Sequence, residues 1–324
     1  MTEQDWNTVW TETLEPWLAG LESDRKRLVL LRWRWTAGGM ALGIAAAVTL
    51  AWNNVEAAPI VIAAVLGPFL GYMIGSHALG KMSKRIKAEL NTTIAGALGL
   101  TYSPKPYSPA RFDRLREFGL LPSSDRRKFE DHFAGELDGC EFELYEAHLE
   151  QRRRSKKRTY YVTVFRGVII RINFPRKVEG ITVITRDAGW FNGIQSFARG
   201  FGAHKLERIG LVDPEFEKAF EVYGNDQVLA RYMLTPSFME RLLALETSLN
   251  GKKVRAAFDE ASGEGELLIA AETGNLFEVG SMSKPLTEPG RFNRIVEELG
   301  HITGLIDLLV APARLGEHEA RQGE

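Results

Sequence analysis

The apolar positions of this chain change period several times, and each change predicts a different kind of element. From Trp35 to Val55, 21 consecutive residues carry no formal charge, and from Ala57 to Gly80 another 24 do, interrupted only by Glu56. At about 1.5 Å rise per residue, each run is long enough to cross a hydrocarbon core of roughly 30 Å. Core helices of soluble proteins seldom stay uncharged for so long, so the runs predict a transmembrane hairpin whose turn lies in Asn53–Pro59. Trp33 and Trp35 at one end and Trp52 at the other suit the membrane–water interface. Ahead of the hairpin, Trp6, Trp10, Leu14, Trp17, Leu18 and Leu21 recur at helical spacing. Glu3, Asp5, Glu12, Glu15, Glu22 and Asp24 make that segment acidic, so an anionic leaflet repels it and packing on the protein's own soluble part is expected. Pro16 predicts a break or second start. Ile86, Leu90, Ile94 and Leu98 keep the helical period beyond the second run.

Further on, Ser108-Pro109 predicts the start of a short helix bearing Phe112, Leu115 and Phe118 and closed by Gly119. From about Leu137 the period becomes two. Cys140, Phe142 and Leu144 alternate with Glu141 and Glu143, Tyr160–Phe165 is aromatic and β-branched, and Val168, Ile170, Ile172 and Phe174 form another inward face. Ile181–Thr185, Phe220–Tyr223, Val254–Phe258, Glu266–Ala271 and Asn275–Val279 complete the strand candidates. Strands this closely spaced imply an antiparallel sheet. Asp213-Pro214 and Thr235-Pro236 read as helix starts, the second helix carrying Phe238, Leu242, Leu245 and Leu249 and closing at Asn250-Gly251. A last helical stripe runs through Phe292, Ile295, Val296, Leu299, Ile302, Ile306 and Leu309 to Pro312. The expected fold class is α+β: a two-helix transmembrane hairpin followed by a cytoplasmic antiparallel sheet packed by helices. The expected parts are an amphipathic helical segment 1–34, a hairpin 35–80 (spans about 35–55 and 57–80), an α+β domain 81–311 and a loose tail 312–324.

Charge orients the hairpin. Arg25, Lys26, Arg27, Arg32 and Arg34 precede the first span, Lys81, Lys84, Arg85 and Lys87 follow the second, and the turn has no cation. The positive-inside rule then puts both termini in the cytoplasm of a multi-pass protein of the plasma (inner) membrane. Gly39-x-x-x-Gly43-x-x-x-Ala47 and Gly67-x-x-x-Gly71-x-x-x-Gly75 each align small residues on one helical face, predicting that one span packs closely on the other. His77 is the one histidine within a span, and with no acidic partner there it does not suggest a proton relay.

Composition narrows the chemistry. Forty-one Lys and Arg against 42 Asp and Glu leave a formal charge of −1, which argues against a nucleic-acid partner. The single cysteine, Cys140, excludes a disulfide framework and reads as a buried apolar residue. Six histidines, His77, His132, His148, His204, His301 and His318, are too scattered for a metal motif, so no cofactor or metal is expected. Ser281-Met282-Ser283-Lys284 spells S-x-x-K, but Pro285 follows and the companion motifs of acylating enzymes are missing. Gly200-Phe201-Gly202 with Arg199 and Lys205, in the glycine-spotted stretch Gly189–Gly202, lacks a full phosphate-loop pattern and reads as a surface loop. The strongest anomaly is Arg152, Arg153, Arg154, Lys156, Lys157 and Arg158, six cations in seven residues between two strands. They form either a solvated hairpin tip or a contact for anionic lipid headgroups or another acidic surface.

The acidic N-terminal helix, the Arg/Lys-flanked hairpin and the run Asp213-Pro-Glu-Phe-Glu-Lys-Ala-Phe-Glu-Val-Tyr-Gly-Asn-Asp226, continued by Ala230–Pro236, resemble a bacterial membrane-protein family catalogued as domain of unknown function 3137. The resemblance spans roughly Trp6 to Leu309 and implies an integral membrane protein with a cytoplasmic α+β domain. It supplies no activity or catalytic residue, and it hints at a LemA-type membrane protein as a partner. Asp226 and Arg231, five residues apart in its most specific segment, are the candidate polar site, as an ion pair beside the sheet. The expected function is a membrane-anchored cytoplasmic binding or scaffold protein. The alternative is a membrane-surface, hydrolase-like enzyme whose site is not readable from sequence.

Overall fold

The computed structural model describes residues 3–106, 108–137, 139–155, 158–174, 179–186, 206–211, 213–248, 252–260, 265–288, 290–300 and 303. The chain divides into two compact units, Met1–Thr93 with Glu278–Ile295, and Ile94–Phe277 with Val296–Glu324.

The first unit is helical. Helix α1 (Glu3–Thr8) passes through one wide π-helical stretch, Val9–Leu14, into α2 (Glu15–Trp52), and α3 (Ala57–Ala97) returns after a four-residue turn. Pro16 sits in the first turn of α2, where its missing N–H costs nothing; the break it predicts is the π stretch just before it. The N-terminal helical segment and the first long apolar run form one continuous run of helix, Trp6–Trp52. The two helices are long and apolar enough to cross a membrane, and only 11% and 6% of their most apolar stretches are buried. Leu42 is 74% exposed, Val65 64% and Trp52 85%, which a soluble core hairpin does not show. The two helices pack on each other through their small residues. A Cβ on Gly43 would lie 2.7 Å from the Ala63 carbonyl oxygen, and one on Gly75 2.6 Å from Cα of Arg32. Trp10, Leu14 and Leu18 are buried, and the Trp6 and Trp10 rings lie 6.0 and 5.2 Å from that of Phe292. The N-terminal stripe therefore packs through its tryptophans on Phe292 of its own chain.

The second unit is a nine-stranded, wholly antiparallel sheet among the described residues, in the order β1-β2-β3-β4-β9-β8-β5-β7-β6. Its strands are β1 (Thr101–Ser103), β2 (Arg126–Leu137), β3 (Cys140–Ser155), β4 (Arg158–Phe174), β5 (Thr182–Thr185), β6 (Glu207–Ile209), β7 (Glu221–Gly224), β8 (Lys252–Asp259) and β9 (Gly265–Glu272). Central β9 is buried on both faces, which is why its sequence reads as an unbroken apolar run. One face carries Tyr145, Ile169, Leu268 and Ala257 under α4 (Phe112–Glu117), whose Phe112 and Leu115 complete that core. Helices α5 (Pro214–Ala219), α6 (Gln227–Met233) and α7 (Pro236–Ser248) also belong to this unit. Asp213 caps α5 by accepting from Glu215 N and Phe216 N, and Thr235 Oγ1 accepts from Phe238 N at the start of α7, both as the sequence predicts.

Several expectations are corrected. Asn275–Val279 is not a strand: Gly274, Phe277 and Gly280 have φ of 86°, 55° and 75°, outside the extended region. Its amides bond to side chains instead, Leu276 N to buried Glu146 and Phe277 N to Glu298. The short helix begins at Phe112, not at Pro109, because Arg111 takes a left-handed φ of 52°. Strands β1, β2 and β6 and helix α6 are additions to the expected elements; β2 opens on Arg126, Arg127 and Lys128, which hide its alternation. Asn250-Gly251, the loop with Arg199, Gly200–Gly202 and Lys205, the stripe beyond Gly300 through Ile302, Ile306 and Leu309, and the tail 312–324 lie outside the described residues, as do His204, His301 and His318.

Candidate functional site

The basic cluster is not a loop. Arg152, Arg153 and Arg154 lie in β3 and Arg158 opens β4, with Lys156 and Lys157 outside the described residues. The reason is the partner strand: Tyr160–Phe165 is strongly β-forming, and arginines that stay in solvent lose nothing by pairing with it. β2 ends its pairing with β3 at Arg126–Glu150, and β9 pairs with β4 only from Val168 onward. Residues 151–155 and 158–162 thus form a two-stranded ribbon without a third strand among the described residues. Opposed residues share a face, so one face carries Arg153, Arg158, Tyr160 and Val162, and the other Arg152, Arg154 and Tyr161. Tyr160 is 50% exposed and Val162 39%. The Arg126 guanidinium stacks on Tyr161 at 3.4 Å from the ring centroid, and Asp125 Oδ2 accepts from Arg152 N at 2.7 Å, pinning the ribbon's base. None of the four arginines has an ion-pair partner among the described residues. Such a finger combines guanidinium forks, which suit phosphate or carboxylate, with exposed aromatic and apolar surface.

A second charged constellation crosses the sheet. Buried Glu266 on β9 accepts from Arg111 (2.7 and 2.9 Å) and from Arg171 on β4 (3.0 and 2.8 Å). Arg171 also reaches Glu143 on β3 at 3.2 Å, and Glu143 meets His132 on β2 at 3.1 Å. Asp259, the register partner of Glu266 and fully buried, is held by Arg114 at 2.7 and 2.8 Å. The hydrogen bond from His132, aided by its charge and that of Arg171, holds the Glu143 carboxyl below the usual carboxylate range against the opposing effect of burial. Bonding to Asp259 raises the Arg114 pKa still further above its ordinary value. Each buried carboxylate in this row is neutralised by a guanidinium, so the row staples α4 to the sheet.

Asp226 and Arg231 are not brought together as an ion pair. Asp226 is the N-cap of α6, accepting from Val228 N at 2.8 Å and Leu229 N at 3.0 Å, while Arg231 is exposed in the last turn, where a cation favours the helix dipole. Cys140 is buried. Ser281 and Lys284 sit in an irregular loop, with Lys284 Nζ 3.1 Å from Glu288. That loop is organised by buried Arg291, which donates to the carbonyls of Val279, Ser281, Lys284 and Pro285. Arg25 Nη1 donates to the Met282 carbonyl at 2.9 Å, and Glu22 accepts from Leu286 N at 3.0 Å. Sequence reading misses this arginine-wrapped loop, because its partners are backbone carbonyls that carry no sequence signal. No group of three or more His, Cys, Asp or Glu among the described residues is placed to hold a metal ion.

No curated protein matches the chain in sequence. The crystal structure of the mycobacterial trehalose monomycolate transport factor A, TtfA, aligns with 68% of this chain and 95% of its own, at 10% identity and a TM-score of 0.31. Residues 163–310, beginning inside β4, match the family described as protein of unknown function DUF3137, and over that stretch the chain resembles that family.

Proposed function

We propose that this protein is a membrane-anchored binding or scaffold protein whose α+β unit works on the cytoplasmic side. The observation that carries the reading is the exposure of two long apolar helices whose small residues are already committed to each other. Apolar surface on that scale is stable in lipid and not in water. The cations flanking both spans, with none in the turn, support an orientation with both termini inside. The basic ribbon supports a binding role: its exposed arginines, without an ion-pair partner among the described residues, and exposed Tyr160 suit anionic headgroups or another acidic surface. Reporter fusions test the orientation. A reporter active only outside the cytoplasm is expected to stay silent after Glu324 and to work near Asn54; activity after Glu324 overturns the reading.

A further inference from the structure

The same unit that holds the spans carries a second feature, a trough along one face of the α2–α3 pair. Its apolar part encloses about 550 Å³ between Leu31, Trp35, Leu42, Leu70 and Ile74, floored by Gly38, Gly39, Gly67 and Gly71, with Arg34 at its margin. A second hollow of about 440 Å³ shares Leu31 with it and is lined by Leu21, Leu28, Met82 and Ile86 together with Arg27, Lys81, Arg85 and Asp24. On each helix the lining positions of the two hollows fall on one side, within about half a turn at 3.6 residues per turn, so they share one face. The face is apolar and glycine-floored at one end, and apolar with cations at the other.

We propose that this trough is a specific site for one anionic phospholipid, the acyl chains lying over the glycine floor and the phosphate held by Arg27, Lys81 and Arg85 in the basic hollow, with Arg34 at the margin between the two. The proposal rests on the membrane-anchored reading above. Its carrying argument is charge complementarity. Those four cations have no ion-pair partner among the described residues, and Asp24 is the single carboxylate in the lining. The occupant must therefore bring both negative charge and aliphatic length. A second copy of the chain docked about a two-fold axis would set these cations against themselves. It would also find the close-packing glycines already used, since Gly39, Gly67 and Gly71 are pressed against the opposite helix of their own hairpin. An apolar peptide would leave the cations unmatched, and a free phosphate would leave the trough empty. A concave site with apolar walls and a few convergent charges is what an amphiphile of this size needs.

Gly38 offers a clean probe. It lines the trough, yet a Cβ built there meets nothing within 4 Å, so Gly38→Leu fills the space without forcing the helices apart. The full-length protein, purified in detergent, is titrated with phosphatidylglycerol or phosphatidylcholine of identical acyl chains, and retained lipid is read by native mass spectrometry. Phosphatidylglycerol is expected to be retained about tenfold more tightly than phosphatidylcholine. Arg27→Gln with Lys81→Gln should erase that preference, and Gly38→Leu should weaken retention of both lipids. Equal retention of the two lipids by the parent protein, or variants that bind like the parent, overturns the site. A Gly38→Leu effect on oligomeric mass without one on lipid overturns it in favour of a second copy. Membrane fractionation of the same cells separates the two claims: a protein that leaves the membrane without detergent defeats the anchored reading itself, whereas a membrane-bound protein with no lipid preference defeats only the site.

Discussion

Gly39 on α2 and Gly67 on α3 face each other so closely that a methyl group added to either would collide with the carbonyl oxygen of the other. The collision is reciprocal and involves backbone on both sides, so no side-chain rotation relieves it. Gly39→Ala or Gly67→Ala is expected to destabilise the hairpin by about 1–3 kcal/mol, read as a lower unfolding midpoint of the detergent-solubilised protein. Gly38→Ala and Gly80→Ala, with open space at both sites, should leave the midpoint unchanged or slightly raised. Equal effects at all four positions would refute this packing.

The roles of Asp226 and Arg231 separate by mutation. Asp226→Ala removes the acceptor for two amides of α6 and should cost about 1 kcal/mol. Arg231→Ala, at an exposed position, should stay within about 0.5 kcal/mol of the parent. Thermal unfolding of the two variants checks the order. A larger loss from Arg231→Ala would point to a partnership that the cap does not explain.

Glu266 is 2% exposed between the guanidinium groups of Arg111 and Arg171, with Asp259 as its register neighbour. Glu266→Gln leaves two arginines short of a counter-charge and should cost about 3 kcal/mol, among the larger single losses in the sheet. Denaturant midpoints at constant slope measure it.

Acid sensitivity follows from Glu143 and Glu22. Both carboxyls are held below their ordinary range, Glu143 chiefly by the hydrogen bond from His132 and Glu22 chiefly by that from Arg25. A carboxyl whose pKa is lower in the folded state contributes stability in full above its unfolded pKa, about 4.3, and loses it as pH falls through the folded value. The contribution is therefore intact at neutral pH and begins to be lost as pH falls below about 4.3. His132→Ala removes the main cause at Glu143 and should move the acid-unfolding midpoint upward in pH. An unchanged midpoint would show that the contact does not hold in solution.

The ribbon prediction concerns charge alone. Replacing Arg152, Arg153, Arg154, Lys156, Lys157 and Arg158 by Ser should weaken contact with anionic surfaces, each cation near such a surface being worth on the order of 1 kcal/mol. The four described arginines are exposed, so the unfolding midpoint should hardly move. Accessibility of Tyr160 to a soluble quencher, in vesicles with and without anionic lipid, reads the contact: protection by anionic lipid is expected in the parent and absent in the variant. Equal quenching leaves the ribbon as a solvated hairpin.

Elements with a local cause are legible in the amino-acid order alone. Long uncharged runs, the G-x-x-x-G faces, the Asp-Pro and Thr-Pro helix starts and the alternation through Phe142, Leu144, Ile170 and Ile172 each act within a few turns or one strand, so pattern reveals them. Pattern also located the six cations of the ribbon, though not their conformation: Arg152, Arg153 and Arg154 are strand because Tyr161, Tyr160 and Thr159 stand opposite them across the hairpin. The remaining features come from tertiary structure. Glu266 is neutralised by residues 155 and 95 positions away, and Arg25 finds the Met282 carbonyl across 257. Pairings at such separation, and above all those with backbone carbonyls, depend on how strands and helices stack and leave no periodic trace. Burial is what gives these contacts their strength, and burial belongs to the assembled fold.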